Sequence, residues 1–314
     1  MESLQHLKSR LDSVKNIGKI TKAMEVVSAT KMRRSQEIAL NSRPYAMKAL
    51  DILQKIAQNN PVQNPLTVSR PVKNTLLVVV ASDKGLAGSF NTQVSRAMDA
   101  FLASDIYSEN ISHRFKFAAV GKKSSGFATK KKFEIVGSFQ NFGDFIAPVE
   151  TEPLTRLVVD GFNEERWDRV IAVSTHFRTT LKQETLIRQI LPVDLEKIKE
   201  TVAEIIPVHG RYAETGTVRE TTFKKEAKEN EYLFEPSPEE AVNFLIPQLV
   251  KMQIYQLILE ANASEHSARR VAMKSATDNA NDLSQKLLLG YNKARQANIT
   301  KELIEMTSTQ NALA

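Results

Sequence analysis

Apolar residues recur at threes and fours over both ends of this chain, and in short continuous runs between them. The longest such pattern opens at Ser237. Ser237 suits an N-cap, Pro238 the first helical position, and Glu240 the closing position of a capping box. From there to about Thr307 only Pro247 and Gly290 interrupt. The pattern therefore predicts one helix of roughly 70 residues, on the order of 100 Å long, which is expected to project from its own domain. Its apolar stripe begins with Leu245, Leu249 and Met252. It continues through Ala268, Ala272, Ala276 and Ala280 and finishes with Leu283, Leu287, Tyr291 and Ala294. Small alanines let two helix axes approach closely, and leucines pack as knobs. Such a stripe needs a partner helix of similar length.

The other end of the chain supplies one. Residues 3 to about 58 read as helix, with Leu4, Leu7, Leu11 and Val14 at a and d spacing. Ile17, Ile20, Met24 and Val27 carry on one step early, which predicts a stammer in the coil. After Val27 the face turns basic with Lys31, Arg33 and Arg34. Pro44 is expected to kink or break the helix, with Ser42 as a new cap. Ala49, Leu53 and Ile56 resume the stripe. Three prolines (Pro61, Pro65 and Pro71) mark residues 59–71 as a linker.

The period changes between 74 and 192. Strands are predicted at 75–81, 116–120, 133–138, 169–174 and 184–191. Helices are predicted at 91–107, 122–132 and 144–163. Apolar strands alternating with helices imply a mainly parallel α/β sheet. Leu195, Ile198, Val202 and Ile205 suggest a short amphipathic helix, and 209–230 a loose hairpin or insertion. Together the pattern divides the chain into an N-terminal coiled-coil helix (1–58), an α/β domain (72–235) with an insertion near 193–230, and a C-terminal coiled-coil helix (237–314) that pairs with the first.

Composition narrows the function. The 314 residues include no cysteine, which excludes disulfides, thiolate metal sites and thiol switches. No apolar run reaches the length of a membrane span, and neither a signal nor a transit peptide is expected. The net charge of +7 calls for an acidic partner, whether protein, nucleic acid or lipid.

An α/β domain invites a search for a nucleotide site. Gly85-Leu86-Ala87-Gly88 lacks the spacing that lets backbone approach a pyrophosphate. Gly121-Lys122-Lys123-Ser124 lacks the upstream glycine of a phosphate loop. His6, His113, His176, His209 and His266 are scattered, without metal-ligand spacing. Ser264, Glu265 and His266 are helix neighbours and cannot face one another as a triad. No active site, cofactor or metal is expected. The informative charges lie on the two arms: Lys19, Lys22, Lys31, Arg33 and Arg34 on the first, and Arg269, Arg270, Lys274, Lys286, Lys293 and Arg295 on the last. They form either a solvated face or a belt against an acidic partner. A nucleic-acid-binding or scaffold coiled coil would use the same charges, but the arms lack aromatic stacking platforms.

Several stretches resemble the γ subunit of F-type ATP synthases, bacterial type. They are residues 13–27 (SVKNIGKITKAMEVV), 82–88 (SDKGLAG), 263–269 (ASEHSAR), 272–280 (AMKSATDNA) and 291–303 (YNKARQANITKEL). The resemblance implies an antiparallel two-helix coiled coil with a Rossmann-like, mainly parallel α/β domain inserted between its helices. It implies a central rotor stalk inside a hexamer of α and β subunits, beside ε and standing on the membrane c ring. That ring, turned by protons, would drive the catalytic β subunits in sequence to make ATP. The chain itself would be a non-catalytic peripheral subunit at the cytoplasmic face of the bacterial plasma membrane, with no nucleic acid among its partners. By the same resemblance Met24, Arg269, Arg295, Gln296, Thr300 and Glu302 contact β subunits, and Tyr232 and Glu235 contact the c ring. Ala87 stands where many members carry cysteine, and the tail 307–311 (TSTQN) departs from the small-residue ending usual in the family.

Overall fold

The structure is a computed structural model that describes residues 3–59, 64–104, 114–142, 146–194 and 235–313. The chain forms two compact units, one of residues 1–28 and 269–314, the other of 29–268. Two long helices run through both: α1 (Leu4–Asn59) and, last in the chain, α5 (Pro238–Leu313).

In the first unit these helices pair antiparallel. Gly18 lies against Ala280, where an added Cβ would sit 3.5 Å from the alanine's. Thr21 meets Thr277, hydroxyl to hydroxyl, at 2.7 Å. Three residues forward on one helix match three residues back on the other. Carried further, this register sets Leu11 opposite Leu287 and Leu7 opposite Tyr291.

The seam of α1 corrects the expected stammer. Among its covered positions Leu4, Leu7, Leu11, Val14, Gly18, Thr21, Glu25, Ser28, Met32, Ser35 and Ala39 follow an unbroken alternation of threes and fours, with Met24 half-buried on its edge. Ile17, Ile20 and Val27 instead stand 53, 60 and 51 % exposed. The heptad never shifts; small and hydroxyl residues simply replace large apolar ones in it. The seam of α5 shifts likewise. It runs through Met273, Thr277, Ala280 and Leu287, with Ala272 and Ala276 on its flanks and Leu283 exposed.

The second unit holds a five-stranded sheet in the order β3-β2-β1-β4-β5. Its strands are β1 (Asn74–Val80), β2 (Arg114–Val120), β3 (Glu134–Phe139), β4 (Arg169–Phe177) and β5 (Gln183–Leu191). The first four are parallel, and β5 runs antiparallel to β4. The mainly parallel sheet is thus as expected. Its central strands are buried on both faces, which is why they read as apolar runs. Leu76, Val78, Val80, Ala118, Val120, Val170 and Ala172 face one core, shared with α5, the second half of α1 and α4 (Glu152–Asn163). Leu77, Val79, Phe117, Ala119, Ile171 and Val173 face the other, shared with α2 (Phe90–Leu102) and α3 (Lys122–Lys130). Between Gln253 and Ala261, α5 is buried all round, as a helix in the middle of a core must be.

Three local expectations change. Pro44 does not end α1, which continues to Asn59; Ser42 donates its hydroxyl to the carbonyl of Ala39 rather than capping a new helix. The helix expected from 144 starts at Glu152, after a 3-10 turn at Pro148–Thr151. Pro153 lies in its first turn, where a missing N–H costs nothing. The linker is partly docked: Leu66, in a 3-10 turn, is buried, and its carbonyl accepts from the backbone of Val193. At the start of α5, Ser237 Oγ accepts from the amide of Glu240 at 3.2 Å, as an N-cap should. The segments expected at 195–205 and 209–230 lie outside the described residues. Among the described residues no helix is long and apolar enough to cross a membrane.

Candidate functional site

The backbone amides at the start of α3, just past the C-terminal end of β2, are the kind of helix N-terminus that can hold an anion. Here the chain's own carboxylate takes that place. Asp83 Oδ1 accepts from the amide of Lys122, at the start of α3, at 2.9 Å, and Oδ2 accepts from the amide of Asn141 at 2.9 Å. The carbonyl of Ser82 accepts from the amide of Lys123 at 3.0 Å. Asn91 Oδ1 accepts from the amide of Ser82 at 3.1 Å. Gly121 has φ +88°, and a Cβ there would sit 2.0 Å from the carbonyl oxygen of Ala81. The backbone is therefore drawn onto itself rather than opened around a phosphate. The loop 82–88 is a structural clasp between β1, α3 and the residues after β3.

A second polar group is buried between the sheet and α5. Glu260 Oε2 lies 2.8 Å from His176 Nδ1 and 3.2 Å from Arg188. Burial pushes the Glu260 carboxyl up, but the hydrogen bond from His176 and the charge of Arg188 outweigh it, and the group is held below its ordinary value. Ser264 and Ser267, one and two turns on, donate to the carbonyls of Thr175 and Thr180. These bonds fasten the middle of α5 to the end of β4 and the turn after it. Among the described residues there is no group of three or more acidic or histidine side chains that could hold a metal.

The predicted contact residues fall as follows. Met24 is half-buried beside the seam, level with Lys274 in the antiparallel register. Arg269 is only 7 % exposed, unlike the other arm cations. Arg295, Gln296, Thr300 and Glu302 are all exposed along the last turns of α5. Thr300 donates its hydroxyl to the carbonyl of Gln296 at 2.9 Å, so it faces the same stretch of helix. Glu235 is exposed just before α5. Tyr232 lies outside the described residues.

What the pattern missed is the outer face of the paired helices. Ile17, Ile20, Val26 and Val27 on α1, and Leu288 and Leu289 on α5, are exposed there; Ile299, Leu303, Ile304 and Met306, also exposed, lie on α5 past Ala294, the residue this register sets opposite Leu4. Lys19, Lys22, Lys286, Lys293 and Arg295 stand among them, also exposed. Single exposed apolar residues need no explanation, but this many on one paired element call for a partner surface. The missed signal was available: each of those on the paired stretch falls outside the heptad.

Comparison with known proteins agrees with this geometry. Residues 3–313 match a family model described as ATP synthase. The chain is 37 % identical to the ATP synthase gamma chain of Roseiflexus castenholzii, covering 100 % of this chain and 99 % of that one. It is 36 % identical to that of Ralstonia nicotianae, covering 98 % of each. Among solved structures it is similar to a chain of the Euglena gracilis mitochondrial ATP synthase rotor, with TM-score 0.58 at 19 % identity over 94 % of this chain and 98 % of that one. Another Euglena gracilis ATP synthase chain, from an F1 and c-ring assembly, gives TM-score 0.60 at 20 % identity over 99 % and 94 %. An unbroken antiparallel seam, an outer face that is both apolar and basic, and a full-length match converge: this chain belongs to the ATP synthase gamma chain family.

Proposed function

We propose that this chain is the central rotor stalk of an F-type ATP synthase, turned by the proton-driven c ring inside a hexamer of α and β subunits. The observation that carries this reading is the double use of the two long helices. Their inner face closes on itself through Gly18–Ala280 and Thr21–Thr277. Their outer face still carries large apolar and basic groups. A shaft can force a surrounding subunit through different states only if it presents different contacts at different angles, because only differential binding shifts populations. A paired coil also resists twisting better than one helix.

Catalysis in this reading belongs to the β subunits. The position of Asp83 is consistent with that assignment, since the N-terminus of α3 is taken by the chain's own loop. Met24, Arg269, Arg295, Gln296, Thr300 and Glu302 are the proposed β contacts. Tyr232 and Glu235 are proposed to meet the c ring, with ε alongside the α/β domain. That arrangement holds the chain at the cytoplasmic face of the bacterial plasma membrane through its partners. A nucleic-acid-binding or scaffold coiled coil, which the basic arms alone would allow, has no support from a full-length match to ATP synthase relatives.

The test is reconstitution. Membrane vesicles lacking this subunit should regain ATP-driven proton pumping when the chain is supplied with α, β and ε. Pumping at the wild-type level in its absence would sink the proposal.

A further inference from the structure

A cavity with about 20 Å³ of room for the centre of a water molecule lies where α1, β4 and α5 meet, within the second unit. Gln36, Leu40, His176, Gln256, Glu260 and Ala263 line it. Two buried polar atoms on its lining residues have no hydrogen-bond partner: Glu260 Oε1 and Gln256 Nε2. Both side chains are deeply enclosed, each residue being 5 % exposed. Glu260 spends only its other oxygen on His176 and Arg188. Buried polar atoms are almost always satisfied, so each orphan implies a missing partner.

The amide of Gln256 sharpens the point. Ser42 Oγ lies 2.8 Å from the carbonyl of Ala39 and 3.0 Å from Gln256 Oε1. A hydroxyl has one proton and cannot donate to both. With the amide turned over, Nε2 donates to Ser42 Oγ, the hydroxyl keeps its bond to Ala39, and the glutamine carbonyl becomes the atom left over. In one setting the spare atom is a donor, in the other an acceptor. The spare atom of the Glu260 carboxylate is an acceptor in both.

We propose that this cavity is a built site for one water molecule, which donates to Glu260 Oε1 and bonds the spare atom of the Gln256 amide. Water alone among simple guests serves both settings of that amide. The space exceeds the 10–15 Å³ or so that one water needs. A cation is disfavoured, because Arg188 already stands 3.2 Å from the same carboxylate and would repel it. The water completes a hydrogen-bonded path from Arg188 on β5 and His176 on β4, through Glu260 and Gln256, to Ser42 on α1. It thereby fastens two helices to the sheet at one point. The inference does not depend on the rotor assignment.

Two measurements test it. A density map of the full chain in its assembled complex, at a resolution that shows waters, should contain a peak about 2.7–3.2 Å from Glu260 Oε1 and from the Gln256 amide. An empty cavity, or a peak at the roughly 2.3–2.6 Å of a metal ion, overturns the proposal. Ala263 lines the cavity, so substitutions there probe it directly. Ala263→Ser puts a hydroxyl where the water would be and should melt within about 2 °C of wild type. Ala263→Val fills the space without a donor and should melt lower, by roughly 3–6 °C. A valine variant as stable as the serine variant also overturns the proposal, because a dry cavity would welcome the added methyl groups.

Discussion

The hydroxyls of Thr21 and Thr277 meet at 2.7 Å across the seam of the two long helices. Thr21 is also placed to donate to the carbonyl of Gly18 at 3.1 Å, and Thr277 to that of Met273 at 2.9 Å. Each hydroxyl has one proton, so the pair shares its donors among three acceptors. Replacing one threonine by valine leaves the other to fall back on its own helix and should cost about 1 kcal/mol. Replacing both should cost less than the sum, because the second loses no cross-helix partner. Chemical melting of the full chain and of the two single and one double valine variants closes this cycle. Strict additivity would mean the hydroxyls do not interact.

The antiparallel register is open to a chemical ruler, because the chain has no native cysteine. Leu11→Cys with Leu287→Cys should join under mild oxidation or a short bifunctional reagent, since both positions are buried and stand opposite each other in the register. Ile20→Cys with Leu287→Cys should not, because Ile20 points away from the seam and lies more than two turns off. Equal yields for the two pairs would contradict the register.

These positions also show how far the sequence could be read. The alternation of strands and helices was legible, because central strands of a parallel sheet are apolar over their whole length. Both long helices were legible too. The seam was not, because Gly18, Thr21, Ser28 and Ser35 occupy it while Ile17, Ile20 and Val27 lie outside. A helix that packs tightly on one partner and presents a greasy face to another carries two overlapping stripes, and counting apolar residues finds the wrong one. The cluster of His176, Arg188 and Glu260 left no spacing to detect, since Glu260 lies 84 residues from His176 and 72 from Arg188 in the chain. The Asp83 clasp was hidden in the same way, its Lys122 amide partner being 39 residues away.

Glu260 makes stability depend on pH with a definite sign. Its carboxyl is held below the ordinary 4.5 when folded. The group therefore takes up a proton more readily in the unfolded chain, and stability falls as pH drops. Its contribution is fully present above about pH 5 and is lost as pH falls through 4.5 towards the lower folded value. Wild-type melting temperature should decline more steeply from pH 5 to 3 than that of Glu260→Gln, which has no proton to take up there. Parallel curves would show that Glu260 does not titrate differently on folding.

Arg295 and Gln296 are neighbours on an exposed helix face, and the rotor reading makes them a catch for one β subunit at a time. Arginine offers a fork of donors for a carboxylate, and glutamine offers both a donor and an acceptor. Arg295→Ala and Gln296→Ala should each slow ATP hydrolysis by the assembled complex roughly three- to tenfold, the equivalent of about 1 kcal/mol of lost contact. Assembly should be unaffected, and the double variant should lose less than the product of the two. Unchanged turnover would return both residues to a solvated face.

The central claim is that the outer face of the coil moves past its surroundings during turnover. The direct measurement tethers that face through Ile20→Cys to a cysteine carried by all three β subunits, in a complex where the β subunit first joined is labelled and the other two are not. ATP hydrolysis should stop when the tether forms and return when it is reduced. After a period of turnover, re-oxidation should join the shaft to labelled and unlabelled β subunits alike, in a ratio approaching one to two. Hydrolysis that continues under the tether, or re-oxidation that always recovers the labelled subunit, would contradict rotation of this chain.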